Sequence, residues 1–436
     1  MKFTKIHIKE HQQFKDFTLD LTYPVGHEKA GEPLEKVCFI GQSGTGKTTL
    51  LGQLGDCATF MAFANSSGGL EIVRHMTDTN FSLYINDDIT FDTLKCRNEE
   101  YKADFFLSLK DNTSDCNLLL FLKTSIAEFI DNALSPNVEN TQKLIETSEK
   151  LIEDKRHRWE LFDKQYIIWQ IDYKTNSEVL GYFLKDIEEY DRVIKSELTT
   201  LLQGTLSIEH FSTLQNRVKG APPRQKIAEK LNPILEKFFL EVDTSVSDAL
   251  LVLKKKNDDL KIPSLGISTG TKQVLSTALP LMQLPLDNAI VLIDEPERSL
   301  FPDVQRMLVQ YYTGLAPKSQ FFFATHSPII AAAFDPAERF ILTFGEDGYV
   351  KATRGTAPEG DDPNDLLVKD FGMNQLLGEK GLKMFERFVE LKILIKNETS
   401  LDKKADYINE YMEIGRAYNF GLDEKLKQDE KNYQKV

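Results

Sequence analysis

The chain has 436 residues, a formal net charge of −14 and a hydrophobic content of 41%. Its length suggests one large or two to three ordinary domains, and its composition is typical of a soluble globular protein with a sizeable core. The negative charge argues against a surface that mainly contacts nucleic-acid phosphates, because such surfaces are usually basic. A local basic groove or a nucleic-acid-binding partner stays open. No apolar run approaches the roughly 18 residues of a membrane helix, and the N-terminus lacks the apolar core of a secretory signal. We therefore expect a cytoplasmic protein without a membrane contact.

The first strong signal is a short apolar run, residues 37–40, which predicts a buried strand. It is followed by "GQSGTGKT", which completes the pattern G-x-x-x-x-G-K-[ST]. Glycines let such a loop curl so that its N–H groups point at phosphate oxygens, while Lys47 reaches the β- and γ-phosphates and Thr48 offers its hydroxyl to Mg²⁺. A glycine-rich turn before a helix is the alternative. We predict a nucleotide site formed by Gly41, Gln42, Ser43, Gly44, Thr45, Gly46, Lys47, Thr48 and Thr49.

Two different patterns follow the loop. Between residues 70 and 110, apolar and polar residues alternate, which predicts short antiparallel strands with a turn at Asn86 and Asp87. From Cys116 to about Leu240 the pattern predicts helices, because apolar positions recur at helical spacing. About 30 residues of helix span only about 45 Å, so we expect a helical hairpin or small helical domain rather than a long coiled-coil arm. The recurring positions are Leu144, Leu151, Trp159, Phe162, Tyr166 and Trp169.

A β-hairpin with its turn near Asn257 and Asp258 leads into the stretch "LGISTGTKQVLS", residues 265–276. This stretch begins as a small, polar loop and continues as a helix. Ser268 or Thr269 is the expected N-cap, because a side-chain oxygen there can accept a hydrogen bond from a free N–H of the first turn. Taken alone, the pattern leaves open whether the loop also contacts a nucleotide held by another subunit.

An acidic strand end follows in "NAIVLIDEPERSLFP". Five apolar residues, 289–293, predict a central parallel strand. Asp294 ends it, in the position of a carboxylate that holds Mg²⁺, and Glu295 is suited to polarise an attacking water as general base. Two solvated acids at a strand end are the alternative, but an acid pair directly before a proline is a sharper pattern.

A second buried strand, residues 321–324, ends at "THSP". His326 could hydrogen-bond a γ-phosphate there, because catalytic groups of open α/β sheets collect at the carboxyl ends of strands. A lone histidine is more often structural, which is the alternative.

The remaining residues predict two strands, "RFILTF" and "GYVKATR", then an acidic loop and helices. Asn364 or Asp362 is the expected cap of the first helix. A metal site at Asp361, Asp362 and Asp365 is the less favoured alternative, because capping and solvation explain these acids. Two or three amphipathic helices around residues 384–389 and 405–417 finish the chain.

In this order, the phosphate loop, "ISTGTKQ", "LIDEPERSLFP" and "ATHSP" resemble the ABC-type ATPases. More narrowly they resemble the SMC/RecF/overcoming-lysogenization-defect branch, whose members typically carry "LSSGEKQ", "DEPE--LHP" and "THSP". "FTKIHIKEHQQFKDFTLDL" is similar to the opening strand pair of that branch. Transporter ATPases carry "LSGGQ" and "DEPTSALD" instead. The chain departs from the branch at Phe301, where histidine is common, and at Thr271, where glutamate is common.

The resemblance implies a role for each matching residue. Lys47 and Thr48 belong to the phosphate loop, Asp294 and Thr48 hold Mg²⁺, Glu295 is the catalytic glutamate and His326 is the switch histidine. It also implies that Ser268 and Gly270 contact the γ-phosphate of ATP across a dimer, and that Ser299 falls in the D-loop. The Q-loop glutamine is not assigned, and Gln53, Gln142, Gln165 and other glutamines stay open as candidates.

The expected fold class is α/β, with an ABC-type ATPase head that combines a mixed sheet, flanking helices and an antiparallel β subdomain. We expect the N-terminal half of the head over 1–115, a helical insertion over 116–240, the C-terminal half over 241–355 and a helical tail over 356–436. The short insertion and "DDPNDLLVKDFG" resemble stand-alone antiphage-defence ATPases such as PtuA of the Septu system, in which a separate HNH nuclease subunit cuts.

That resemblance implies an oligomeric ATPase with ATP and Mg²⁺ that regulates a nuclease partner, with the tail as a partner-binding region and nucleic acid contacted through the partner or complex. Two other functions stay open: a RecF/SMC-type repair ATPase that binds DNA directly, and a scaffold that holds nucleotide with little turnover.

Overall fold

The computed structural model describes residues 2–54, 80–85, 89–92, 119–123, 145–150, 156–161, 164–169, 176–204, 211–212, 215–216, 222–245, 249–284, 286, 289–373 and 376–421. The strands within these ranges are β1 (Phe3–His11), β2 (Phe14–Asp20), β3 (Lys36–Gly41), β4 (Asn80–Ile85), β5 (Ile89–Asp92), β6 (Leu119–Lys123), β7 (Arg156–Leu161), β8 (Lys164–Trp169), β9 (Leu240–Val242), β10 (Leu253–Lys255), β11 (Lys261–Ile262), β12 (Ile290–Asp294), β13 (Gln320–Ala324), β14 (Arg339–Phe344) and β15 (Val350–Arg354).

The helices are α1 (described over 47–54), α2 (described over 145–150), α3 (Asn176–Leu202), α4 (Pro223–Leu235), α5 (Thr269–Gln283), α6 (Pro302–Leu315), α7 (Pro328–Ala331), α8 (Pro363–Lys369), α9 (Glu379–Asn397) and α10 (Leu401–Tyr418). None of the helices in this described part of the chain combines the length and apolarity needed to cross a bilayer.

The central sheet is mixed, with the strand order β15-β14-β3-β13-β12-β6-β8-β7 across the described strands. Its six inner strands are parallel, and β15 and β7 pair antiparallel at the two edges. Because β13 lies between β3 and β12, the residues that follow these three parallel strands meet at one edge of the sheet. This order brings the phosphate loop, Asp294 and His326 to the same place.

Alternate side chains of the central strands enter two apolar cores, as the two-residue period of a strand requires. Cys38 and Ile40 belong to the core that also contains residues of α4, α5 and α6. Val37 and Phe39 belong to the core formed with β1, β2 and α1. The inner strands are apolar on both faces because both faces are covered.

Two smaller antiparallel sheets flank the central one, in the orders β2-β1-β4-β5 and β11-β10-β9. The predicted opening strand pair is confirmed, with Gln12 in a left-handed conformation (φ 48°) at its turn. The strands predicted between 70 and 110 are confirmed for β4 and β5, whereas Asn86 and Asp87 lie outside the described residues. The predicted α/β head with a mixed sheet and an antiparallel subdomain is thus what the chain adopts.

The prediction of helix throughout 116–240 is wrong at β6, β7 and β8, which join the central sheet. The "LLFLK" of β6 is a continuous apolar run, which favours a buried parallel strand, and "KQYIIW" is rich in the aromatic and β-branched residues that strands accept. The aromatic spacing that suggested a helix arises because Trp159 of β7 pairs with Tyr166 of β8. Leu144, Leu151 and Phe162 lie outside the described residues.

The chain forms two compact units, Met1–Phe371 and Gly372–Val436. Helix α8 belongs to the first unit, where it contacts α7. The second unit contains the predicted amphipathic helices, α9 and α10, which pack around Phe388, Leu391 and Tyr411. The predicted domain boundaries, after residues 115, 240 and 355, stay predictions.

Candidate functional site

The predicted phosphate loop connects β3 to α1. Gly41, Gly44 and Gly46 all have positive φ (143°, 86° and 84°), which side-chain-bearing residues rarely adopt. Gly46 is also closely packed, because a Cβ there would lie 2.0 Å from Gln13 Nε2 and 2.7 Å from Phe14 Cζ, and both side chains would have to shift. The sequence folds into this curl because glycine stands where the backbone must be left-handed or closely packed.

Lys47 is buried at the first turn of α1, and its Nζ donates to the carbonyl oxygens of Gly41 (2.8 Å) and Gln42 (3.1 Å). Burial lowers the pKa of the Lys47 ammonium, and nearby carboxylates oppose this shift. The ammonium therefore stands inside the loop's curl as a point charge suited to phosphate oxygens.

Thr48 and Asp294 meet across the site, although they are far apart in the chain. The Thr48 hydroxyl donates to Asp294 Oδ1 at 3.1 Å. Hydroxyl and carboxylate oxygens are ligands that Mg²⁺ accepts, so this donor pair, beside a loop suited to phosphates, fits a magnesium-nucleotide complex.

Glu295 follows Asp294 in a left-handed conformation, with φ 49°. Its N–H donates to the carbonyl of Ala324 on β13 at 2.8 Å, which fixes the turn after β12 against the neighbouring strand. A non-glycine residue in this conformation is uncommon and costs of order 1 kcal/mol or more, and such residues cluster at functional sites. The two neighbouring carboxylates therefore lie in different environments: Asp294 is buried, and Glu295 is half-exposed.

His326 is exposed two residues beyond β13. Burial of part of the ring lowers the pKa of the His326 imidazole, the positive charge of Lys47 lowers it further, and Glu295 opposes both. Because His326 follows β13, it lies at the sheet edge that also carries the phosphate loop and the acidic turn. At neutral pH the ring is neutral, so it carries one N–H donor.

Ser268 is the N-cap of α5, as predicted, and its Oγ accepts from Thr271 N at 3.1 Å. Ser268 and Thr269 are exposed, whereas Gly270 is buried. A Cβ on Gly270 would lie 2.5 Å from the Ser299 carbonyl oxygen, so the start of α5 rests on the turn after β12. Gly270 thus has a packing role in its own chain, which the sequence pattern did not indicate.

The turn over residues 295–300 joins several parts of the site. Ser299, assigned to the D-loop, is left-handed at φ 61°. Gln273 Nε2 of α5 donates to Pro296 O at 3.3 Å, and Gln305 Nε2 of α6 donates to Leu300 O at 2.8 Å. These two glutamines hold the turn between α5 and α6.

Sequence reasoning assigned no role to Gln13, Gln273, Glu297 or Gln305, all of which contact the site's loops. Glu297 offered the only signal, as the second glutamate of "DEPE". Among the Q-loop candidates, Gln53 is buried on α1, Gln142 lies outside the described residues and Gln165 is in β8. None of these observations assigns the Q-loop.

The acidic loop before α8 has local partners. Asp362 is the helix cap and accepts from Asn364 N at 2.8 Å. Lys369 pairs with Asp361 at 3.2 Å and with Asp365 at 2.9 Å. Capping and ion pairs account for these acids, in agreement with the favoured interpretation of the sequence.

Comparison with known proteins gives a family and a set of similar folds. A family model described as "AAA domain, putative AbiEii toxin, Type IV TA system" matches residues 36–332. The SMC head domain from Thermotoga maritima is similar at 10% identity and TM-score 0.37, over 82% of this chain and 100% of that one. An Smc head bound to the C-winged helix domain of ScpA is similar at 11% identity and TM-score 0.35, over 81% and 97%. No curated protein matches the sequence.

The family model begins at the start of β3 and ends just beyond α7. It therefore spans the phosphate loop, α5, the acidic turn and His326, and more than half of the chain. This chain belongs to that family of AAA-type ATPase domains.

Proposed function

We propose that the chain binds ATP with Mg²⁺ and hydrolyses it in a site that a second copy of the chain completes. The observation that carries the proposal is the contact of Thr48 Oγ1 with Asp294 Oδ1 beside the buried Lys47. Cation ligands, a phosphate-binding loop and two further polar groups at neighbouring strand ends form one site, and this combination suits phosphoryl transfer to water.

Within one chain the residues divide the work. Lys47 and the loop N–H groups hold the phosphates, and Thr48 and Asp294 hold the cation, which neutralises charge on the phosphate oxygens when bound. Glu295, which is half-exposed in a left-handed turn, accepts a proton from the attacking water as general base. His326, neutral at neutral pH, donates a hydrogen bond to the γ-phosphate.

The partner copy contributes Ser268 and Gly270. The exposure of Ser268 and Thr269 at the start of α5 supports this role, because the N-terminal end of a helix favours anions. Gly270 is packed against Ser299, in the turn that also carries Glu295. Contact between the start of α5 and a partner's nucleotide would therefore be transmitted to that turn.

Phosphate release from ATP tests the proposal. We expect the wild-type protein to release phosphate in a Mg²⁺-dependent manner, and Glu295→Gln to bind ATP with similar affinity while releasing phosphate at least about a hundredfold more slowly, because the general base is lost. Glu229→Gln, an exposed residue of α4, is the matched control and should behave as wild type. Equal rates for wild type and Glu295→Gln would favour a nucleotide-holding scaffold.

We further propose that this ATPase senses or regulates a nuclease subunit, with an HNH nuclease favoured, in bacterial antiphage defence in the cytoplasm. The resemblance of the acidic loop and short insertion to Septu-type ATPases motivates the proposal. An exposed apolar stripe on α9, formed by Phe385, Val389 and Ile393, supports partner binding by the tail.

Co-purification from the native operon and phage plating test this second proposal together. We expect a nuclease subunit to accompany the ATPase, and phage to plate more efficiently when the gene carries Lys47→Ala. A protein that purifies alone and whose loss leaves plating unchanged would refute it. Salt-dependent DNA binding by the isolated chain would instead favour the repair ATPase.

A further inference from the structure

Glu297 lies in the turn between Asp294 and α6 and holds the loop that carries His326. Its Oε1 accepts a hydrogen bond from the His326 backbone N–H at 2.7 Å. Its Oε2 is buried and has no hydrogen-bond partner among the described residues. A carboxyl group withdrawn from water costs free energy, so its persistence between two loops of the site needs an explanation.

Two further contacts hold the residues on either side of His326, one through a backbone amide and one through a side chain. Thr325 N donates to Phe39 O at 3.1 Å, next to the phosphate loop. Ser327 Oγ donates to Gln305 Oε1 at 2.6 Å, and Gln305 in turn holds Leu300 O. Each of these anchors lies on a residue beside His326, whereas Glu297 binds the peptide unit of His326 itself.

Glu297 also lies two residues after Glu295 in the same turn. Leu300 N donates to Glu297 O at 3.0 Å and Arg298 N donates to Glu295 O at 3.2 Å, so the turn is closed by its own hydrogen bonds. A displacement of the loop at Glu297 would therefore change the separation of His326 and Glu295. Small misplacements of reacting groups cost large factors in rate.

We propose that Glu297 is a positioning residue for hydrolysis, which sets His326 relative to Glu295 through its hydrogen bond to the His326 N–H. The inference rests on the proposed ATPase function and adds a residue to it. Glu297 touches neither nucleotide nor water in this role, and acts through the backbone of His326.

The chemistry of the contact indicates which substitutions preserve it. Burial raises the pKa of the Glu297 carboxyl, and the hydrogen bond from the His326 N–H opposes that shift. Either protonation state leaves an oxygen that accepts from the N–H, and so does the amide oxygen of glutamine. The contact therefore needs an acceptor at this distance rather than a charge.

The test compares Glu297→Ala and Glu297→Gln with wild type, using Glu229→Ala as the control. We expect Glu297→Ala to lower kcat by about tenfold or more while the Kd for ATP changes by less than about threefold, and Glu297→Gln to stay within about threefold of wild-type kcat. If the alanine variant does not fold, Glu297→Asp, whose side chain is one methylene shorter, takes its place. Unchanged kcat in the alanine variant, or an equal loss in the glutamine variant, would overturn the inference.

Two further measurements separate this inference from the proposed function. In a His326→Ala background, Glu297→Ala should lower the residual rate by less than about twofold, because the two residues act as one unit. An equal tenfold loss in both backgrounds would contradict the proposal.

Hydrogen exchange of the His326 amide, measured without nucleotide, should rise in Glu297→Ala but not in Glu297→Gln. If exchange responds in this way while wild type hydrolyses no ATP, the contact stands and the proposed ATPase function fails.

Discussion

At the scale of single residues, the site depends on positions where nothing larger than glycine fits. Gly270 is the sharpest example, because it lies in an ordinary helical turn and needs no unusual φ. A Cβ there would meet Ser299 O at 2.5 Å and Leu300 Cδ2 at 2.9 Å, so the restriction comes from packing against the turn.

We predict that Gly270→Ala displaces the turn and slows hydrolysis by at least about tenfold, because Glu295 and Glu297 lie in that turn. We also expect the melting temperature to fall. Gly314→Ala in α6 is the matched control, since a Cβ there meets nothing within 4 Å, and the change should stabilise the protein by about 0.5–1 kcal/mol through higher helix propensity. A Gly270→Ala variant with normal turnover would show that the contact adjusts at no cost.

At the scale of elements, one buried ion pair links β14 to the segment after α8. Arg339 and Asp370 are buried, with Arg339 Nε 2.9 Å from Asp370 Oδ2. Asp370 Oδ1 accepts from Thr356 N at 2.9 Å, and Arg339 also donates to the carbonyls of Phe334 and Ala357. Together these bonds join the chain before β14 and the chain after β15 to the segment after α8.

We predict that Asp370→Ala destabilises the first unit by about 3–5 kcal/mol, because it leaves the buried Arg339 guanidinium without its counter-charge. The double variant Arg339→Met/Asp370→Leu should be less destabilised than the single one. Urea unfolding measures both, and Glu379→Ala, which removes an exposed pair with Lys383, should leave the midpoint unchanged. A double variant that is less stable than both Asp370→Ala and wild type would contradict this prediction.

The helix α9 carries two apolar stripes. One is buried against α10, and the other, Phe385, Val389 and Ile393, is exposed at a spacing of four residues. We predict that Val389→Asp/Ile393→Asp removes the co-purifying partner without changing ATP hydrolysis. Lys380→Asp, an exposed residue near the start of the same helix, should retain the partner. Partner retention by the double variant would exclude this stripe as the contact.

The strands that carry the site could be predicted from the sequence, because each is a short apolar run that ends in a chemically distinctive residue. Asp294 and His326 indicate the carboxyl ends of β12 and β13 in this way. The insertion could not be predicted, since the aromatic spacing of Trp159, Tyr166 and Trp169 fits a helix as well as a paired strand. The contacts of Glu297 and Gly270 depend on loops that are distant in sequence, so no local pattern indicates them.

At the scale of the whole molecule, the proposal requires two chains. Ser268 lies exposed at the start of α5, and in the proposal it completes the site that Lys47, Thr48 and Asp294 of the partner chain begin. Ser268→Arg should retain ATP binding by the monomer and lose ATP-driven dimerisation. Because this change also removes a helix cap, which contributes about 1 kcal/mol, Thr269→Arg is the variant that keeps the cap, and it should behave in the same way.

Mixing two inactive variants tests the shared site most directly. Lys47→Ala destroys the phosphate loop and Ser268→Arg destroys the partner's contribution, so each alone should release no phosphate from ATP. In a mixed dimer, Lys47 of one chain and Ser268 of the other form one intact site of two. An equal mixture should therefore recover between about a quarter of wild-type activity, if the chains pair at random, and about half, if only mixed pairs form. A mixture as inactive as its components, or a Ser268→Arg protein that hydrolyses ATP normally, would contradict the composite site.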